Sequence, residues 1–277
     1  MSKRKLIPIV ITVIAISLWF REQSLHAHQQ WVLPNFFVAQ SEDKSVWLGF
    51  EHALGDQRFV PSVGPGPALL WVNGPGDELT SPSFVYTGKT RTLGEIELTK
   101  PGTYRITAEE PQAYWTKVKD GEKSQWLRLP RDRVIGKTIE VSKRYWAKAI
   151  TYVTFRTQTT GPLAMQKDPL ELLPIDHPNS IRAGQSFRLR VLTEGQPLAG
   201  KEIKVFDDAG HGHDASATFK SRTDGQAVLR FARPGRYLLS VNNEVPANGD
   251  PGADAYVYSV YLMVEVQPRT RRGKPKR

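Results

Sequence analysis

Turn-forming residues interrupt this chain at intervals that suit strands better than helices. Gly64-Pro65-Gly66-Pro67 and Asn73-Gly74-Pro75-Gly76 leave only the apolar run Ala68-Leu69-Leu70-Trp71-Val72 between them, long enough for a strand and too short for a stable helix. In Ser45-Val46-Trp47-Leu48-Gly49-Phe50-Glu51, Val46, Leu48 and Phe50 fall on one face of a strand. Further runs at Ser83–Tyr86, Glu95–Leu98 and Thr103–Thr107 follow at the spacing of a meander. The pattern predicts an antiparallel β-sandwich over residues 28–156, closed by a strand from about Lys137 to Phe155 with a kink near Tyr145-Trp146.

One stretch inside it breaks the rhythm. Residues 109–136 are rich in Lys, Arg and aromatic side chains without a clean period, and are expected to form a long excursion. Tyr114, Trp115 and Trp126, interleaved with Lys117, Lys119 and Lys123, suit stacking on sugar rings; the plainer reading folds them onto the domain's edge.

Beyond it, Gly161-Pro162, Pro169, Pro174 and Pro178 predict an extended linker over 157–180. A second sandwich is expected over 181–267, from the alternation of Ser186–Leu192 to a final strand at Tyr256–Val266. Its Arg233-Pro234-Gly235-Arg236-Tyr237 repeats Lys100-Pro101-Gly102-Thr103-Tyr104, which suggests two sandwiches of related topology with Gly at a positive φ in a type II turn.

The chain contains no cysteine, which excludes disulfides and thiolate metal ligands and leaves stability to packing. Its net charge of +10 is no nucleic-acid signature. Lys3, Arg4, Lys5 and Arg21 against Glu22 give residues 1–27 a charge of +3, and the six basic residues of the tail at 268–277 give +6, leaving +1 for the body. The tail is expected to be disordered and solvated. Residues 1–27, with a basic start and the apolar run Leu6–Phe20, read as a signal peptide cleaved after Ala27 into the periplasm or medium. The alternative is an uncleaved segment anchoring the protein to the membrane.

Cleavage there makes His28 the first residue, so that its α-amino group and imidazole can chelate one metal. The second group of imidazoles is Asp207-Asp208-Ala209-Gly210-His211-Gly212-His213-Asp214, where a His-x-His on extended backbone puts both rings on one side. His52 ends the Val46–Phe50 strand, and His177 beside Pro178 reads as a linker residue. Asn248–Asp254 offers oxygen ligands for calcium but lacks the regular spacing of a calcium loop, and reads as a turn. No Gly-x-Ser-x-Gly elbow, glycine-rich phosphate loop or cysteine nucleophile points to an enzyme.

In order and spacing, Pro169–Pro174, Ile181–Gln185, Val191–Gly200, Thr223-Asp224-Gly225 and Arg233–Tyr237 resemble the bacterial exported family known as a domain of unknown function, DUF4198. His28, Trp31 and Pro34 match the start of its mature chains, although Glu51-His52 stands where members commonly show Gly-His. The Gly195–Gly200 turn is shared with Ig-like and carboxypeptidase-regulatory-like sandwiches, so the resemblance implies an all-β chain of two such sandwich domains. Some members are labelled nickel or cobalt uptake components. The expectation is an exported, non-enzymatic protein that binds nickel, cobalt or copper through His28, His52, His211 and His213, with the metal ion and a membrane transporter or outer-membrane receptor as partners. The alternatives are a carbohydrate- or envelope-binding module using Tyr114, Trp115 and Trp126, and a structural partner of a membrane complex.

Overall fold

The computed structural model describes residues 29–39, 45–52, 68–76, 78–87, 91–207 and 214–269, with the backbone alone at 45–52, 84, 87 and 91. The stretch expected to be a signal peptide, residues 208–213 with His211 and His213, and most of the basic tail lie outside the described residues. Among those described, no helix is long and apolar enough to cross a membrane.

The chain forms β1 (Gln30–Pro34), β2 (Val38–Ala39), β3 (Ser45–His52), β4 (Leu69–Asn73), β5 (Leu79–Thr80), β6 (Phe84–Thr87), β7 (Arg91–Glu97), β8 (Gly102–Glu109), β9 (Ala113–Asp120) and β10 (Lys123–Leu127). There follow β11 (Thr138–Phe155), β12 (Glu171–Pro174), β13 (Ser186–Thr193), β14 (Gln196–Pro197), β15 (Glu202–Asp207), β16 (Ala217–Lys220), β17 (Gln226–Arg230), β18 (Gly235–Pro246) and β19 (Ala255–Val266). A first sheet has the order β1-β3-β7-β6, and a small sheet gathers β12, β14 and β17 around β13. Between them runs a large sheet of order β16-β15-β18-β19-β11-β8-β4-β5, with β2 and β9 also pairing β11, and β10 pairing β9. The fold is all-β and sandwich-like, as the patterning predicts.

The two halves share that large sheet. β11 pairs with β19 in parallel, from Lys143 opposite Ala255 to Thr151 opposite Met263. Side chains of β11 alternate between two cores. Trp146, Ile150 and Tyr152 join Phe187, Leu189 and Leu229 on one side, while Ala147, Ala149, Val153 and Phe155 join Trp31, Val32 and Ile96 on the other. A strand closing an isolated sandwich would show one exposed face, whereas β11 is buried on both faces from Trp146 to Phe155 and β19 from Ser259 to Val264.

Residues 157–180 differ from the expected extended linker. They hold two 3-10 turns, Gly161–Leu163 and Pro178–Ser180, as well as β12, and Leu163, Leu170 and Leu172 enter the core shared with Phe187. Pro162 is the second residue of its turn and Pro178 the first of its own, within the opening turn where a missing N–H costs little. The segment is a strap across the face of the large sheet.

The 109–136 excursion is the β9–β10 hairpin, added antiparallel to the edge of β11. Register in β11 shifts between Ile139 and Val141, not at Tyr145-Trp146. The two Pro-Gly-x-Tyr turns match closely: Gly102 and Gly235 have φ of 147° and 145°, and Tyr104 and Tyr237 each donate a hydroxyl hydrogen bond to the carbonyl four residues back, at 2.7 and 3.0 Å. Those φ values exceed the roughly +80° of a type II turn and lie in a region open essentially to glycine alone.

Candidate functional site

β1 is fixed by its side chains: Trp31 and Val32, 1% and 0% exposed, are buried in the core beside β7 and β11. That anchoring sets its register with β3, in which Gln30 stands opposite His52 and Trp31 opposite Glu51. Gln30 is itself buried, and its Oε1 has no hydrogen-bond partner. Of the four imidazoles expected to hold a metal, His52 is placed here by its backbone, while His28, His211 and His213 lie outside the described residues. His28 precedes Gln30 by two residues in sequence. Among the described residues, no group of three or more His, Asp or Glu side chains gathers as a metal site.

The hairpin separates the three aromatic residues expected to stack on sugars. Trp126 faces Lys117 across the β9–β10 pair, which puts it on the same side as Trp115, two residues away. Tyr114 alternates to the other side. There it packs on the Arg144 guanidinium, 5.3 Å from its ring, and donates to Asp250 Oδ2 at 3.1 Å. Tyr256 donates to the same oxygen, and its ring lies 5.9 Å from the same guanidinium. The Gly252 N–H, followed by the two tyrosine hydroxyls and Arg144, holds the Asp250 carboxyl below its usual range, while burial and then Asp250 push the Tyr114 hydroxyl up. Asp254, at the end of the same loop, pairs with Arg131 and accepts the Ser142 N–H. The loop read as a turn at Asn248–Asp254 thus ties the hairpin to the sheet.

Beneath the strap lies an ion cluster that sequence reasoning missed. Lys148, 6% exposed, reaches Asp168 at 2.7 Å and Glu109 at 3.7 Å, and its ammonium lies 5.0 and 5.5 Å from the rings of Trp146 and Trp71. Arg105, 4% exposed, approaches Asp168 at 4.0 Å, and Glu109 accepts the Trp146 indole N–H at 2.8 Å. Glu171 accepts the backbone N–H groups of Asp168 and Gln166. Two cations face two carboxylates, and removing one partner would strand a buried charge. Lys148 and Glu109 sit at strand positions where only the three-dimensional pairing reveals the partner.

His177 is a fastener rather than a plain linker residue. Its Nδ1 accepts the Asn179 N–H at 3.2 Å and its Nε2 lies 2.8 Å from Thr103 Oγ1, so the neutral tautomer carries its proton on Nε2. Asn179 donates to the carbonyls of Phe37 and Tyr152 and accepts from Thr154 Oγ1. Burial holds the His177 imidazole below its ordinary value.

A family model described as "Domain of unknown function (DUF4198)" matches residues 25–245. No curated protein matches the chain at a significant level. Among solved structures, the D0-D1 domain of intimin is 15% identical with a TM-score of 0.23, covering 84% of this chain and 96% of that one. The ligand-binding domain of human OSCAR is 12% identical with a TM-score of 0.21, covering 86% and 99%. An ICAM-5 D1-D4 ectodomain fragment is 11% identical with a TM-score of 0.23, covering 90% and 54%. Nothing about function follows from likeness of that size.

Proposed function

We propose a function for this chain from the premise that it belongs to the DUF4198 family, whose function is unknown. The protein is exported by its N-terminal signal segment, has no enzymatic activity, and binds one divalent transition metal, nickel, cobalt or copper, for delivery to a membrane transporter or outer-membrane receptor. The ligands are the α-amino group and ring nitrogen of His28, released by cleavage after Ala27, with His52 completing the set. His211 and His213 are the second candidates for that completion.

One observation supports this reading above the others. The β1–β3 register puts Gln30 opposite His52, so the backbone that leads back to His28 and the end of the strand carrying His52 belong to one edge of one sheet. The buried, unpartnered Gln30 Oε1 adds a polar atom to that edge. Nitrogen ligands without thiolate suit nickel, cobalt and copper. An α-amino group with a pKa near about 8 and an imidazole near about 6.5 release protons readily to a cation at neutral pH, and protons recapture those nitrogens below about pH 6.

The test is an equilibrium titration of correctly processed protein with Ni(II), Co(II) and Cu(II). His28→Ala, and a form with one residue added before His28, should each lose affinity by about tenfold or more, and His52→Ala should lose it as well. If His211→Ala/His213→Ala loses affinity and His52→Ala does not, the loop completes the site instead. Unchanged binding in all four would defeat the reading. The glycan-binding alternative keeps Trp115 and Trp126, which share a hairpin face with Lys117. A glycan screen of Trp115→Ala/Trp126→Ala tests it.

A further inference from the structure

The second Pro-Gly-x-Tyr turn borders a hollow of about 300 Å³ at one end of the C-terminal half. Its floor is apolar and aromatic: Phe219 of β16, Phe231 and Tyr237, with Val205 and Ala217 beside them. The Phe231 and Tyr237 rings lie 4.6 Å apart, tilted by 46°, and Tyr237 is held by its hydroxyl bond to the Arg233 carbonyl, so the floor is set before any ligand arrives. Around it stand Arg230, Arg233 and Arg236, with Asp207 the one carboxylate in the lining. None of the three arginines has an ion-pair partner among the described residues. Arg236 stands opposite Glu265 in the β18–β19 register, yet the two make no salt bridge. Among the described residues, Arg230 has one side-chain hydrogen bond, to the Ser186 hydroxyl at 3.5 Å.

The first copy of the turn shows what this place looks like when it is filled. A Cβ built on Gly102 would lie 2.4 Å from Pro75 and 3.2 Å from Thr159, whereas one built on Gly235 meets, among the described residues, nothing nearer than Tyr237 at 4.0 Å. The same backbone geometry is packed over in one half and left open, ringed by guanidinium groups, in the other.

We infer that this hollow is a binding site for a small amphipathic carboxylate, its apolar body on Phe219, Phe231 and Tyr237 and its carboxylate on Arg233 and Arg236. The volume lies at the lower end of the roughly 300–1,000 Å³ of small-molecule sites, which are mostly apolar with a few polar groups fixing orientation. A guanidinium fork matches a carboxylate in two parallel hydrogen bonds, and unpaired arginines beside an apolar floor supply that fork without first breaking an ion pair. The site uses neither His28 nor His52, so its test does not depend on theirs.

The probe is 4-phenylbutyrate, titrated into the mature protein by amide-shift NMR with 4-phenylbutyramide as its uncharged counterpart. Saturable shifts should gather around Phe219, Phe231 and Arg233–Tyr237, and the amide should bind about tenfold more weakly or worse. Arg233→Ala/Arg236→Ala should lose binding to a similar degree while its melting temperature stays unchanged, and Phe219→Ala should lose it through the floor. Absence of saturable binding, equal binding of the amide, or full affinity in the folded double arginine variant would each overturn the assignment.

Discussion

The turns at Lys100–Tyr104 and Arg233–Tyr237 share a sequence pattern, a glycine φ within two degrees and a tyrosine-to-carbonyl hydrogen bond, yet they have different surroundings. Around the first, Pro75 presses on Gly102, and Thr103 exchanges hydrogen bonds with Thr159 and meets His177 from the strap. Around the second, no strap crosses among the described residues, and the arginines stand without ion pairs there beside a hollow. A local motif therefore fixes a backbone path but not what covers it. The covering is supplied by residues distant in sequence, and where none is supplied, space for a ligand remains.

An alanine in each turn separates the effect of the backbone path from that of its covering. Gly102→Ala should cost roughly 3–5 kcal/mol, because backbone strain adds to the collision with Pro75, while Gly235→Ala should cost only the strain, about 1–3 kcal/mol. Urea unfolding of both variants checks the difference, and equal losses would mean that covering contributes nothing. Next comes Asn179→Ala, which removes three side-chain hydrogen bonds, to the Phe37 and Tyr152 carbonyls and from the Thr154 hydroxyl, and should cost about 3 kcal/mol. Tyr104→Phe and Tyr237→Phe should each lose about 1 kcal/mol, because the hydrogen bond is the same in both; a large inequality would show that the two turns are alike only in shape.

The smallest effect is one of pH. The folded-state pKa of His177 lies below its unfolded value of 6.5, so the unfolded chain binds the extra proton. Its contribution is fully present above about pH 6.5 and is lost as the pH falls below it, through the window between the two values. His177→Gln should flatten that part of the stability profile measured by denaturation, and an unaltered slope would remove His177 from the account.

Strands were legible where one face is buried and the other wet, as in Ser186–Thr193 with its alternating burial. β11 and β19 were legible as strands but not as partners, because β-rich patterning marks a strand and says nothing of which strand lies beside it. The strap was misread since its prolines obscured three buried leucines, and the hairpin at 109–136 lacked a period because most of its residues are only partly covered. Of the candidate metal site, the residue types were readable. The pairing of His52 opposite Gln30 was not, because it depends on which strand β1 chooses.

Electron paramagnetic resonance of Cu(II) bound to the processed protein is the decisive measurement for the metal site proposed at the β1–β3 edge. Nitrogen hyperfine structure from the His28 amine and imidazole is expected, altered by ¹⁵N-histidine labelling, by His28→Ala, by His52→Ala and by one residue added before His28. Superimposable spectra from the processed protein, the extended form and both variants would contradict it.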